Sequence, residues 1–518
     1  MPDSPDAPPT STATVPPPPT EVTATPEDTA KQTIQGRAVR GTKVLALRTV
    51  VATIVRIGSS LVLAHFLTKQ DFGVFAAISG IVGIGLFLCE FSLNNMLIVQ
   101  KDEPDPDETA TVFWVQQSVS VFFIATVVLL SGWVLRIHGV DARYVPMLCV
   151  CVAGILPVTL RSVPGSMMER HLQFEPGARA EVAEQVVQTA ISITLAVSGF
   201  GTWALVASFV AARFAGMLVV RAYSDWSLQG RFQWHIARRM VSKAIPFQAN
   251  QLVMTAVSTL VTLVVARSLG VAALGMFGWA NNIASAPILL VHMLQRIAFP
   301  TMSRLQDDAS EVGRVTGRTS RRAITLMGLL VSPVAIVAPF FLPLIFGEQW
   351  RPAVVLFQWS ISEVVLTAAL GVLAQTMLAM GFSRERTIVM AVAGVLRITL
   401  IYFGARLLGV SSVAAAGYCS ALVELAILTF QVRHRIPGSE TIWRDVFVPV
   451  IRVQGALIMT LLVAQYLSPQ KLHTLPGVIG QLGMFAVLVT VPDLFSARRP
   501  VITELVGTWN MLRTRRTG

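Results

Sequence analysis

Fourteen long apolar stretches, joined by short polar connectors, make up most of the chain. A helix that crosses a bilayer needs roughly 20 mainly apolar residues. Stretches of that kind fall near 44–66, 72–99, 110–135, 144–164, 181–199, 202–222, 244–266, 272–299, 323–346, 352–380, 387–405, 409–432, 447–467 and 475–492. The pattern predicts an all-α integral membrane protein with about 14 transmembrane helices. The second, eighth and tenth stretches are overlong, which implies tilt or helix running past the bilayer. Pro246, Pro287 and Pro333 lie inside stretches, where neighbouring helices can satisfy the freed backbone groups.

The polar positions between the stretches give the pattern a direction. Of the Lys and Arg residues outside the apolar cores, 28 fall in alternate connectors and the terminal segments. Only Lys69, Arg136, Arg143, Arg267, Arg351, Arg406 and Lys471 fall in the others. Cytoplasmic loops retain Lys and Arg, so the bias predicts an even number of spans with both termini in the cytoplasm. The connector Lys101-Asp-Glu-Pro-Asp-Pro-Asp-Glu108 is acidic yet falls on the cytoplasmic side; acidic residues contribute little to orientation.

A repeat organises the spans. At an offset of 202, Ala64 matches Ala266, Leu67 matches Leu269, Gly73 matches Gly275 and Phe75 matches Phe277. Both stretches are the short external turn of a hairpin. Spans one and seven then open equivalent blocks, which predicts two six-helix lobes (a 6+6 repeat) around a central cavity, plus two extra C-terminal helices. Such bundles place a substrate path between the halves. The expected divisions are a disordered Pro-rich cytoplasmic tail (1–36), an N-lobe (37–222), an inter-lobe linker (223–243), a C-lobe (244–432), spans thirteen and fourteen (433–492) and a basic amphipathic tail (493–518). The Pro-rich tail cannot bury enough apolar surface to order itself and lacks the layout of a signal peptide.

Composition narrows the function. Charged residues are 14% of the 518 and hydrophobic ones 53%, against about 25% charged in soluble domains, which leaves no room for a large soluble domain. The net charge of +12 is spread over connectors, as fits a face beside anionic lipid rather than nucleic acid. There is no P-loop, and no Cys/His cluster of the kind that binds zinc. Cys89, Cys149, Cys151 and Cys419 sit in apolar stretches and read as buried thiols. Gly80, Gly83 and Gly85 read as close helix packing. Trp226, Phe232 and Trp234 beside Arg238 and Arg239 read as an interfacial strap joining the lobes.

Five motifs carry a resemblance. They are Leu63-Ala-x-x-Leu67 with Asp71-Phe-Gly73; Arg170-x-Leu172-x-Phe174; Gly199-x-Gly201-x-Trp203-Ala-Leu-Val206; Phe299-Pro300 with Ser303-Arg-Leu-Gln306 and Asp308; and Phe346-Gly-Glu-x-Trp350-x-Pro352-Ala353. In this order the chain resembles polysaccharide-export flippases of the multidrug/oligosaccharidyl-lipid/polysaccharide exporter superfamily. The resemblance implies a transporter rather than an enzyme. It would move undecaprenyl-pyrophosphate-linked oligosaccharide repeat units across the bacterial inner membrane, by alternating access, for exopolysaccharide, capsule or lipopolysaccharide synthesis. A polysaccharide polymerase and export machinery are candidate partners. No cofactor is implied; a proton or sodium gradient or the membrane potential is the candidate energy source. The Pro-rich tail departs from the family's pattern.

Ionisable residues inside spans are costly unless they face protein or water, so each is a candidate site. Arg56, Arg213, Arg296 and Arg397, with Asn250, Asn281 and Asn282, are the candidate substrate-binding residues. The planar fork of Arg binds phosphate oxygens two at a time, and amides bind sugar hydroxyls. Glu90, Glu363 and Glu424 are the candidates for a coupling ion. The competing uses are structural: Arg–Glu pairs between helices, and helix–helix hydrogen bonds for the amides, Asn94 and Gln248 among them. His292 reads as a packed residue. Glu181 and Glu184 open span five, and Arg161 lies near a cytoplasmic end where it can snorkel. Three rival functions remain open. A lipid II flippase shares the spans and the cationic cavity. A cation or drug antiporter of the same superfamily should place acids deep in the first lobe, where only Glu90 stands. An integral-membrane glycosyltransferase or polymerase should carry a substantial external loop.

Overall fold

Helix occupies most of the described part of each predicted stretch in a computed structural model that describes residues 53, 55–90, 93–100, 102–291, 302, 307–467 and 475–494. These all belong to one unit, Val51–Gly518. The first half contains α1 (Val55–Phe66), α2 (Lys69–Glu90), α3 (Leu93–Val99), α4 (Pro106–Leu129), α5 (Ser131–Ile137), α6 (Val145–Ala153), α7 (Ile155–Leu160), α8 (Ser162–Arg170), α9 (Phe174–Val197) and α10 (Thr202–Tyr223). The second half contains α11 (Trp234–Leu269), α12 (Val271–Ala284), α13 (Ala309–Phe346), α14 (Val354–Ala379), α15 (Ser383–Leu408), α16 (Ser411–Arg435), α17 (Ile442–Leu467) and α18 (Leu475–Leu494). Short 3₁₀ turns at Ala142–Tyr144 and Glu348–Ala353 lead into α6 and α14.

Ten helical runs among the described residues are long and apolar enough to cross a membrane. The other four predicted spans fall short for local reasons. The chain around α1 and beyond α12 runs into residues outside the described set, and the apolar run of α18 covers only Pro476–Thr490. α9 is long enough, but Gln185, Gln188, Thr189 and Ser192 make one of its faces polar.

Proline chemistry breaks the fourth span. Its pieces part at Gly154 and Arg161, each three residues before a proline, Pro157 or Pro164. A proline removes the hydrogen bond to the carbonyl four residues back and crowds that carbonyl. The break leaves Arg161 at a helix junction inside the bundle.

Contacts sort the connectors into two groups. Asp107 accepts from the Arg231 backbone N–H at 2.8 Å and from the Gln233 side chain, while Arg239 pairs with Glu108. Arg170 donates to the carbonyls of Leu97, Gln100 and Asp102. Arg435 pairs with Glu385 at 2.9 Å and Arg321 with Asp445 at 3.4 Å. These residues belong to the connectors predicted to share one face. Among the connectors predicted for the opposite face, the Thr202 hydroxyl donates to Asp71 at 2.6 Å and the Trp350 indole to the Ala64 carbonyl at 3.0 Å. The acidic connector is thereby explained: its carboxylates hold the basic linker 223–243. Trp226 packs on Phe113 in that linker, while Phe232 and Trp234 stay exposed.

The sequence repeat becomes a reciprocal contact. α2 and α12 touch backbone to backbone, so a Cβ on Gly73 would collide with the Val271 carbonyl, and one on Gly275 with the Lys69 carbonyl. The offset of 202 relates Gly73 to Gly275 and Lys69 to Val271. Residue i touching j while their equivalents touch the other way round is the mark of a two-fold interface. Gly201 (φ 55°) and Gly409 (φ 54°) likewise occupy matching turns, before α10 and α16.

The small-residue and cysteine readings divide. Gly85 faces Phe123 and Ile155 and Gly80 faces Thr262, whereas Gly83 meets nothing. Cys89 and Cys151 are buried and Cys149 is partly so, but Cys419 is exposed, against the expectation of a buried thiol, because its place on α16 faces outward.

Candidate functional site: two polar cavities flanking α12

α12 separates two cavities. The larger, about 510 Å³, lies between α11, α14, α15 and α16; Glu363, Arg386, Arg397, Glu424 and Asn281 line it. The smaller, about 340 Å³, lies among α1, α2, α9 and α10, with Arg56, Gln188 and Asn282 on its wall. With 3.6 residues per turn, the successive residues Asn281 and Asn282 point about 100° apart, which sends one to each cavity.

The intramembrane arginines have different surroundings. Arg397 meets Glu363 at 3.2 Å. Arg213 meets Glu184 at 2.7 Å, and Arg161 takes the other oxygen of the same carboxylate. Arg213 also lies over the Phe209 ring at 4.9 Å. Arg161 therefore does not snorkel away; the break after α7 turns it inward onto α9. Arg386 faces Glu424 across the larger cavity. That cavity is lined by two acidic and two arginine side chains, whose formal charges cancel. Arg56 differs: among the described residues it has no acidic partner, and it supplies the one formal charge on the wall of the smaller cavity.

The sequence candidates thus separate. Arg56 and Asn282 share one cavity; Asn281, Arg397, Glu363 and Glu424 share the other. Arg213 belongs to an ion-paired cluster with Glu184. The side chains of Glu90 and Asn250 lie outside the described residues, although both positions are helical, and Arg296 and His292 lie outside them altogether. The two terminal tails do too. Asn94 takes the structural use, accepting from Gln116 at 3.0 Å, and Gln248 donates to the Phe87 carbonyl at 3.2 Å.

Sequence reasoning missed two things. Glu184 is the counter-ion of Arg213, and it was read only as a residue opening its span. The polar face of α9 was also missed, yet Gln185, Gln188, Thr189 and Ser192 recur at i, i+3, i+4 and i+7, the spacing of one helix face.

An all-helical bundle with reciprocal halves and a polar cavity on each side of its central helices has the architecture of a multi-pass membrane protein. Solved structures share that fold. The lipid II flippase MurJ, in an inward closed conformation, aligns with a TM-score of 0.66 at 11% identity, covering 88% of this chain and all of that one. An inward-facing multidrug resistance transporter of the MATE family aligns with a TM-score of 0.58 at 14% identity, covering 75% and 98%. The chain belongs to the Polysaccharide biosynthesis protein family, whose model matches residues 62–355. Its relatives include the succinoglycan biosynthesis transport protein ExoT of Rhizobium meliloti (strain 1021), 24% identical over 59% of this chain and 62% of ExoT. The lipopolysaccharide biosynthesis protein WzxC of Escherichia coli (strain K12) is 22% identical over 63% and 66%. The chain thus spans just under two thirds of the length of these relatives. The family match agrees with the resemblance that the motifs carry.

Proposed function

We propose that this protein is a flippase that carries undecaprenyl-pyrophosphate-linked oligosaccharides across the bacterial inner membrane by alternating access, with its basic end facing the cytoplasm. Arg56 carries the reading. Among the described residues it is a guanidinium without a carboxylate partner, set in a cavity of hydroxyls and amides, and such a site is matched to an anionic linkage that bears a polar glycan. Phosphate takes two parallel hydrogen bonds from one Arg, and an arginine already in place lowers the cost of bringing that charge towards the bilayer centre. The smaller cavity has no carboxylate among its described lining residues, which argues against a cationic drug as its occupant. In the larger cavity Glu424, with Arg386 and the Arg397–Glu363 pair around it, is the group we assign to a coupling proton or sodium ion.

The test is transport. Wild-type protein in vesicles should move a fluorescent lipid-linked oligosaccharide between leaflets. Arg56→Ala should lower the rate at least tenfold, and Arg56→Lys should restore part of it. Full transport by Arg56→Ala at normal abundance would sink the assignment.

A further inference from the structure

Most of the polar groups around the smaller cavity are not spent on an anion. Arg56 stands on α1, and the other polar side chains of the wall are neutral: Ser60 on α1, Gln188 on α9, and Asn282 and Trp279 on α12. None of these four side chains has a hydrogen-bond partner among the described residues. The Trp279 indole N–H is the sharpest case. The residue is 2% exposed, and this donor is buried with nothing to bond. A buried, unpaired donor costs on the order of its full desolvation, and Trp279 lines the cavity, although its nitrogen has almost no exposed surface of its own. The ring itself is fixed, stacked on Trp350 at 4.3 Å and edge-on to Phe346 at 4.8 Å.

The remaining hydroxyls are half-used. Ser59, Ser79, Ser192 and Ser208 donate back to carbonyls of their own helices, which leaves their oxygens free to accept. The wall therefore offers neutral donors (the indole and the two amides) and neutral acceptors, with the apolar faces of Phe72 and Phe75 between them. A ligand that matches must be rich in hydroxyls, uncharged, and carry C–H faces. At roughly 30 Å³ per water-sized group, 340 Å³ holds on the order of ten such groups, enough for about one sugar ring.

We propose that this cavity is a sugar-recognition subsite, in which Gln188, Asn282 and the Trp279 indole N–H read a neutral sugar ring next to the anionic linkage held by Arg56. The inference rests on the flippase reading and deepens it. It makes selectivity for the glycan a property of the cavity that α1, α2, α9, α10 and α12 enclose, while the larger, ion-paired cavity is assigned no part in it.

Two matched probes test the subsite on the full-length protein in lipid nanodiscs. One is a short-chain lipid pyrophosphate bearing a neutral disaccharide; the other is the same lipid pyrophosphate without sugar. Wild type should bind the sugar-bearing probe at least tenfold tighter. Gln188→Leu with Asn282→Leu should bring the ratio of the two affinities close to one. Trp279→Phe, which keeps the ring and deletes only the donor, should lower the ratio about three- to tenfold, the worth of one hydrogen bond. Free disaccharide added in excess should compete with the sugar-bearing probe and not with the bare one. A wild-type ratio near one, or a ratio that both variants leave unchanged, overturns the subsite even if the protein still moves lipid-linked sugar between leaflets. Loss of transport by wild type towards every lipid-linked sugar instead overturns the flippase reading, whatever the binding ratio.

Discussion

Arg56, Arg213 and Arg397 look alike in the sequence, each an arginine deep in an apolar stretch. They differ only in partners that the chain brings from 29 to 34 residues away. Which faces of two helices meet depends on how each is rotated, and that is not written in hydropathy. The pairing predicts opposite failures. Arg397→Ala strands the Glu363 carboxylate, and breaking a buried pair costs roughly 3–5 kcal/mol. The lower end is expected, because the two side chains keep 23% and 20% exposure. Arg397→Ala should therefore lower folded yield and melting temperature in detergent. Arg397→Met combined with Glu363→Leu should recover much of the loss, since replacing both partners removes the stranded charge. Arg56→Ala strands nothing, so its melting temperature should stay near wild type while transport falls. A stable Arg397→Ala protein would mean that the pair contributes little to the fold.

Among the elements, helix positions were legible because long apolar stretches leave few alternatives, and the side assignment because basic residues gather in alternate connectors. The acidic connector 101–108 was legible only as an anomaly. Its meaning depended on a linker 124 residues further on, and the first turn of α4 supplies the link. Asp107 and Glu108 occupy that helix N-terminus, where carboxylates are favoured by the dipole, and they also hold Arg231, Gln233 and Arg239. Asp107→Ala removes two of these attachments at once. Limited trypsin digestion should then cut after the exposed Arg231 several-fold faster than in wild type, with cleavage at other sites unchanged. Equal rates would show that the strap is held by its apolar contacts, such as Trp226 on Phe113, and not by the carboxylate.

For the whole molecule, four identities in thirteen positions were enough to propose a repeat, and the structure gives that repeat a physical job. Gly73 and Gly275 are equivalent positions in two backbone contacts that mirror each other across α2 and α12. A side chain at either one must push the two helices apart at the end opposite the basic connectors, where Trp350 also bonds to Ala64. If the protein works by alternating access, this is the contact that has to part for the cavities to open at that end. Any substitution that disfavours the closed contact shifts the population towards the open state by its differential cost. Gly73→Val and Gly275→Val should therefore have the same effect, although they lie 202 residues apart. With the four native cysteines replaced, spin labels at Gln70 and Ser268 report the separation of the two turns. Both variants should lengthen the main distance, and by similar amounts, because the contact is reciprocal. A change in one variant and not in the other would mean that the two halves meet without functional equivalence.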